Sequence, residues 1–309
     1  MSAIFGKNAA GAKAGGRPPI AVEITPEGVL AAARSSGKSE AGRGHVYAFV
    51  PLPAGALVAG IEEPNLRAPD AVISAIRSAV AEVSPRSRAV TLVLPDILVR
   101  VFVLDFDSMP AKAAEAIPVV RFRLRKMIPF DVEHAGLGYQ ILKQDENECK
   151  ALAAVMPGPI LAEYEAAIRS AGCEPGAVLP SSLAALEATD SMEAILAANL
   201  STHAMTTSIA NGRDLLLYRT IELAADSRQR AMDIQRGIAV AAAYFEDKLG
   251  SRPRQLYYAG IHDLGDFARA VNDPALSVVD WVPRPDEGAM TALPQISFAG
   301  VDGALAGVS

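Results

Sequence analysis

The sequence predicts an α/β protein of two lobes, and three observations carry that expectation. The chain has 309 residues, too many for one small domain. Short apolar strand patterns alternate with amphipathic helical ones along nearly its whole length. Half of the residues are hydrophobic, enough to bury two sizeable cores. The balance of 29 basic against 35 acidic groups leaves a net charge of −6. That argues against broad charge-driven binding to nucleic acid or to an anionic membrane. Cys149 and Cys173 have neither metal-ligand spacing nor a disulfide pattern and suit a reducing compartment. The best apolar run, "GIAVAAAYF" from Gly237, is broken by Glu246 and Asp247, so no membrane span is expected. "MSAIFGKNAAGAKAGGRPP" lacks the apolar centre of a secretory signal and reads as a loose tail over residues 1–18, so a cytoplasmic location is expected.

Each element has its own local signal. "PIAVEITPEGVLAAARS" is strand, turn and strand, a hairpin that starts ordered structure near Pro19. Residues 35–45 form a polar Gly/Ser loop, and "VYAFVPLPAGALVAGI" supplies another strand and turn. From Pro69, Val72, Ile73, Ile76, Val80 and Val83 recur at helical spacing, closed by Ser84 and Pro85. "RAVTLVLPD" and "LVRVFVLDF" are strands. "MPAKAAEAIPVVRFRLRKMIPF" is helical in composition, with Pro118 expected to kink or divide it and Pro129 to end it, before the strand "GLGYQILKQ". "CKALAAVMP" is a buried strand, "GPILAEYEAAIRSAG" a helix that Gly172 ends, and "EPGAVLPSSLAALEA" a strand with a Ser-capped helix. Strands flank an Asn211-Gly212 hairpin, a strong turn signal. A long helix, "SRQRAMDIQRGIAVAAAYFEDKL", stops at Gly250, and "RQLYYAGI" and "LSVVDWV" are parallel strands separated by a helix.

This order resembles the PilM family of type IV pilus assembly proteins, members of the actin-like ATPase superfamily together with the cell-division protein FtsA. The words that carry the resemblance are "FGKN" before a Gly-rich stretch, "PLPAGALVAGIEEPNLRAPDAVISAIRSAV", "MIPFDVEHAGLGYQIL", "DIQRGIAVAAAYFEDKL" and "QLYYAG". The resemblance implies an actin-like, ribonuclease H-like fold of two lobes with an inserted subdomain of SHS2 type. Residues 19–50 and 149–190 would form the first lobe, 51–148 the insertion, and 191–309 the second lobe.

An actin-like site uses glycine-rich hairpin tips and metal-facing carboxylates around a nucleotide. By the resemblance the first Asp-x-Gly falls on Glu23, Ile24 and Thr25, with Pro26 removing a backbone donor and Leu30 where a Lys is common. The second falls on Asn199, Leu200 and Ser201, and the adenosine loop keeps only Gly260 before Ile261 and His262. Loss of a carboxylate and of both tip glycines implies weak or lost binding of ATP with Mg, with no catalytic residue and no other cofactor or metal. The partner implied is a PilN-like inner-membrane protein, bound by its cytoplasmic N-terminal tail in a groove flanked by Ile128, Pro129 and Phe130. Cytoplasmic pilus motor proteins are further partners, and nucleic acid is not expected. Two other readings stay open: a working actin-like ATPase in which Glu23 replaces the metal-facing Asp, and a cytoplasmic component of a type II secretion system of the GspL type.

The residues also allow plainer readings. His45, His134, His203 and His262 lack any recognised ligand spacing. Asp131 and Glu133 read as a solvated turn, and Ser181-Ser182 and Ser201-Thr202 as capping and loop residues. Arg121, Arg123, Arg125 and Lys126 read either as a solvated helix face or as a local basic patch able to meet anionic headgroups or an acidic tail.

Overall fold

The computed structural model describes residues 17–306, apart from 35–43, 63, 85, 146–147, 190, 192, 213 and 284–295. Most of the loop expected over 35–45 and residues 1–16 of the expected tail lie outside the described residues. Two compact units form: one from the residues up to Glu187 together with those from Gly300 onward, the other from Ala188–Ala299.

In the first unit β1 (Ile20–Thr25), β2 (Gly28–Arg34) and β3 (His45–Pro51) make an antiparallel meander. Helix α1 (Pro69–Val83) leads to β4 (Ala89–Leu94), which pairs in parallel with β1. A second sheet follows from β5 (Arg100–Phe106), α2 (Ala113–Leu124), β6 (Gly136–Gln144) and β7 (Cys149–Met156), in the order β5-β7-β6. The chain then runs through α3 (Gly158–Ser170), β8 (Glu174–Pro180) and α4 (Ser181–Glu187). The first sheet has the order β3-β2-β1-β4-β8. β1 and β4 are central because both of their faces are apolar and covered, as strands beside a parallel partner require. Val72, Ala75, Ile76, Ala79 and Val80 turn α1 onto the sheet.

The second unit repeats this plan. β9 (Ala194–Leu200), β10 (Ala204–Asn211) and β11 (Asp214–Glu222) form the meander. α5 (Ser227–Leu249), β12 (Gln255–Gly260), α6 (Leu264–Val271) and β13 (Ser277–Asp280) complete a sheet of order β11-β10-β9-β12-β13, again with two parallel pairings. α5 starts where the Asp226 carboxylate accepts from Gln229 N–H and stops at Gly250, whose φ of 69° is the left-handed cap that glycine tolerates. Ile234, Ile238, Ala241 and Phe245 put one of its faces into the core.

Five expectations need correction. The insertion does not run over 51–148: β4 belongs to the first sheet, α1 packs on that sheet, and the separate small sheet spans Arg100 to Met156. β7 is its central strand and not a first-lobe strand, because alternate residues Ala151, Ala153 and Val155 are buried under α2 while Leu152, Ala154 and Met156 are buried on the other face. The chain after Gly300 also leaves the second unit. Helix α7 (Ala299–Ala306) brings Asp302 to the first unit, where Tyr47 Oη donates to its carboxylate at 2.6 Å and His45 Nδ1 lies 3.0 Å away. Arg17 and Arg34 donate to the carbonyls of Gly303 and Leu305, so Arg17 is a buried anchor and not part of a loose tail. Finally, Pro118 does not divide α2. It sits on an exposed face where only the exposed Ala114 carbonyl loses its helical donor, and the helix ends at Leu124, before Pro129.

Candidate functional site

The sequence-expected residues of the first unit lie at one end of β1. Thr25 and Gly28 close the β1–β2 hairpin, and Thr25 Oγ1 donates to the Gly28 carbonyl at 3.2 Å. Glu23 is 7% exposed. Its Oε1 accepts from Ser181 Oγ at 2.6 Å, and a side chain at Gly300 would place its Cβ 2.7 Å from Oε2. Burial pushes the Glu23 carboxyl up to about 7; the Ser181 hydrogen bond opposes that rise, and nearby Asp96 and Glu27 add to it. Asp96, buried in a single 3-10 turn, accepts from Ser182 N–H at 2.9 Å and from Ser182 Oγ at 2.5 Å. The two serines therefore do more than cap α4: each holds a buried carboxylate.

In the second unit Asn199 is half-buried on β9, in register between Thr206 of β10 and Ala259 of β12. Ser201 N–H and Oγ both donate to the Ala204 carbonyl, closing the β9–β10 turn. From α5, Arg230 donates to the carbonyls of Thr202 at 2.5 Å and Ser201 at 2.9 Å. Gly260 ends β12 where a Cβ would lie 2.9 Å from the Leu200 carbonyl oxygen and 2.6 Å from Tyr258 Oη. That hydroxyl accepts from His262 N–H at 3.1 Å and donates to His262 O at 3.2 Å, while the ring stacks on Phe267 at 4.0 Å. The loop Gly260-Ile261-His262 is thus organised around a tyrosine of its own strand. Burial and the nearby Arg230 hold His262 below the usual imidazole range.

Sequence reasoning gave Ser181 only a capping role and missed Asp96, Arg230 and Tyr258. Only Tyr258 had a local signal, since residues i and i+2 of a strand share a face and Tyr258 stands two before Gly260.

On the small sheet Ile128 and Phe130 are half-buried against its core, and Pro129 is exposed. The four basic residues do not act as one patch. The Arg121 guanidinium turns inward to the carbonyls of Val132 and Ala135, and Arg125 pairs with Glu133 at 2.6 Å. Arg123 and Lys126 stay exposed. Asp131 takes up a short contact with His134 at 2.5 Å, which lowers the carboxyl and raises the imidazole from their ordinary ranges.

Two sheets of one strand order, each a three-stranded meander extended by two parallel strands, with an insertion in the first, define the actin-like class. The chain has that fold. Among solved structures it is similar to a chain of the PilM–PilN type IV pilus biogenesis complex, at 18% identity and a TM-score of 0.71 over 94% of this chain and 97% of that one. The cytoplasmic domain of EpsL, an inner-membrane component of the type II secretion system of Vibrio cholerae, matches at 13% identity and 0.50, over 86% and 89%. A Bacteroides thetaiotaomicron protein of actin-like ATPase fold and unknown function matches at 9% and 0.50, over 85% and 91%. No protein-family model matches the sequence, and no curated protein is similar to it in sequence. Among the described residues no helix is long and apolar enough to cross a membrane.

Proposed function

We propose that this chain is an adaptor of a type IV pilus inner-membrane assembly complex, which binds the cytoplasmic N-terminal tail of a PilN-like membrane protein and has weak or no ATP binding. The observation that carries the reading is the likeness, over 94% of the chain, to the PilM–PilN complex. The tail would lie in a groove between the first sheet and the small sheet, flanked by the segment Ile128, Pro129 and Phe130.

Three features stand against bound ATP with Mg. Glu23, in place of a metal-facing Asp, is buried against Ser181 and takes a proton near neutral pH. Tyr258 occupies the loop that would meet adenosine. Arg230 fixes the second hairpin by its carbonyls, and Asn199 supplies no negative charge beside it. No catalytic step is assigned to these residues.

The test is a tagged pull-down from detergent-solubilised native membranes with mass spectrometry of the co-purifying proteins. Recovery of a single-span pilus component supports the reading. Recovery of a type II secretion component favours the second reading, for which the EpsL likeness speaks. If nothing membranous is recovered, and the chain binds Mg-ATP by calorimetry and releases phosphate, both abolished by Glu23→Ala, the ATPase reading moves ahead and the adaptor proposal fails.

A further inference from the structure

Helix α2 carries an aromatic side chain that its own fold cannot cover. Ala116, Val120 and Leu124 are its buried positions. At about 100° per residue, Val120 and Leu124 each lie roughly 160° around the helix from Phe122, so Phe122 points directly away from the small sheet. It is 75% exposed, and Met127, in the turn after the helix, is 45% exposed. Exposed Pro118 and half-buried Val119 lie on the same side, one turn earlier.

The charges around it are sorted. Arg121 is spent on the carbonyls of Val132 and Ala135, and Arg125 on Glu133. Arg123 and Lys126, which follow Phe122, make no ion pair or hydrogen bond with any described residue. Arg123 lies about 100° around the helix from Phe122, and Lys126 lies in the turn that follows Leu124. Glu115, two turns earlier on this side, is paired with Lys112 at 3.5 Å. The face thus presents one protruding ring beside two uncompensated cations, on a chain that is acidic as a whole.

We propose that this face of α2 touches an anionic lipid surface, with Phe122 entering the headgroup region and Arg123 and Lys126 meeting phosphates. Charge complementarity selects the partner's sign, and shape selects its kind. A peptide is recognised in a concave site, whereas Phe122 stands on a convex helix and needs a partner that yields around it. A bilayer interface does so, and it accepts aromatic rings at headgroup depth. One ring and two cations give a weak, reversible contact, suited to orienting a protein held at the membrane by other means. The proposal goes beyond the adaptor reading and does not depend on it.

The experiment is co-sedimentation of the full chain with vesicles of phosphatidylcholine alone and of phosphatidylcholine with an equal part of phosphatidylglycerol. The wild type is expected to bind only the anionic vesicles and to be released by salt. R123E/K126E should lower the partition coefficient at least about tenfold and Phe122→Ser several-fold. Both changes lie on an exposed face, and thermal unfolding matched to the wild type confirms that each variant is folded. Phe122→Trp gives an independent reading: its emission should shift to the blue on anionic vesicles, against the buried Trp281. The proposal is overturned if the wild type ignores anionic vesicles, or if both variants bind as it does. It is equally overturned if, with vesicle binding absent, the wild type self-associates in sedimentation velocity or is retained on polyglutamate beads in a Phe122-dependent manner.

Discussion

The two five-stranded sheets share one strand order, yet the groups packed around their first hairpins differ in chemistry. In the first unit the buried group nearby is a carboxyl, Glu23, held by Ser181 and lying against Gly300. In the second it is an aromatic ring and a guanidinium: Tyr258 fills its own loop, and Arg230 binds the hairpin carbonyls. Equivalent places in one topology therefore answer differently to pH and to substitution. Protonation near neutrality acts on the first end, whereas close packing and neutral hydrogen bonds govern the loop of the second.

The largest expected effect tests how tightly each unit is packed. A Cβ at Gly303 would fall 1.7 Å from the Ala184 carbonyl oxygen, deep in the first unit, against 2.9 Å from the nearest backbone atom for Gly260 in the second. Gly303→Ala should destabilise by about 3 kcal/mol or more and Gly260→Ala by about 1–2 kcal/mol, read by denaturant unfolding. The reverse order would break the comparison.

Next comes Glu23→Gln. A carboxyl whose folded pKa is raised binds a proton that the unfolded chain has already lost, so stability falls as pH rises from about 4.5 to about 7. Removing the ionisable group should flatten that slope and stabilise the chain above pH 7 by up to about 3 kcal/mol. A wild-type stability curve that rises through this window, with the variant parallel to it, would remove the first half of the contrast.

Tyr258→Phe keeps the stack on Phe267 and loses both hydrogen bonds to His262. About 1–2 kcal/mol should go, with faster amide exchange at His262 and no new pH dependence. The smallest effects belong to the hairpin hydroxyls. Thr25→Ala removes one local bond and should cost about 0.5 kcal/mol, whereas Ser201→Ala removes two, the donation to the Ala204 carbonyl and the acceptance from Ala204 N–H, and should cost about 1 kcal/mol.

Local signals made much of this fold legible. The limits of α5 follow from a capping aspartate and a left-handed glycine, both written within a few residues of the ends they set. The second meander follows from Asn211-Gly212 in the same way. What the sequence hid depends on distant partners. β7 looks like a strand in isolation, and only its two flanking partners assign it to the small sheet. Glu23 could be placed on the first hairpin by resemblance, but the serine that holds it is 158 residues away. The basic run of α2 read as one surface because helical spacing is blind to the backbone carbonyls that draw Arg121 inward.

The return of α7 to the first unit bears on the order in which the molecule is made. Asp302, reached by Tyr47 and His45, and the carbonyls held by Arg17 and Arg34 leave the ribosome only after all of the second unit. The unit begun first is therefore finished last. Until α7 arrives, the surface around Glu23 and Ala184 lacks its cover, and a nascent chain stalled before Gly300 would present that surface to chaperones.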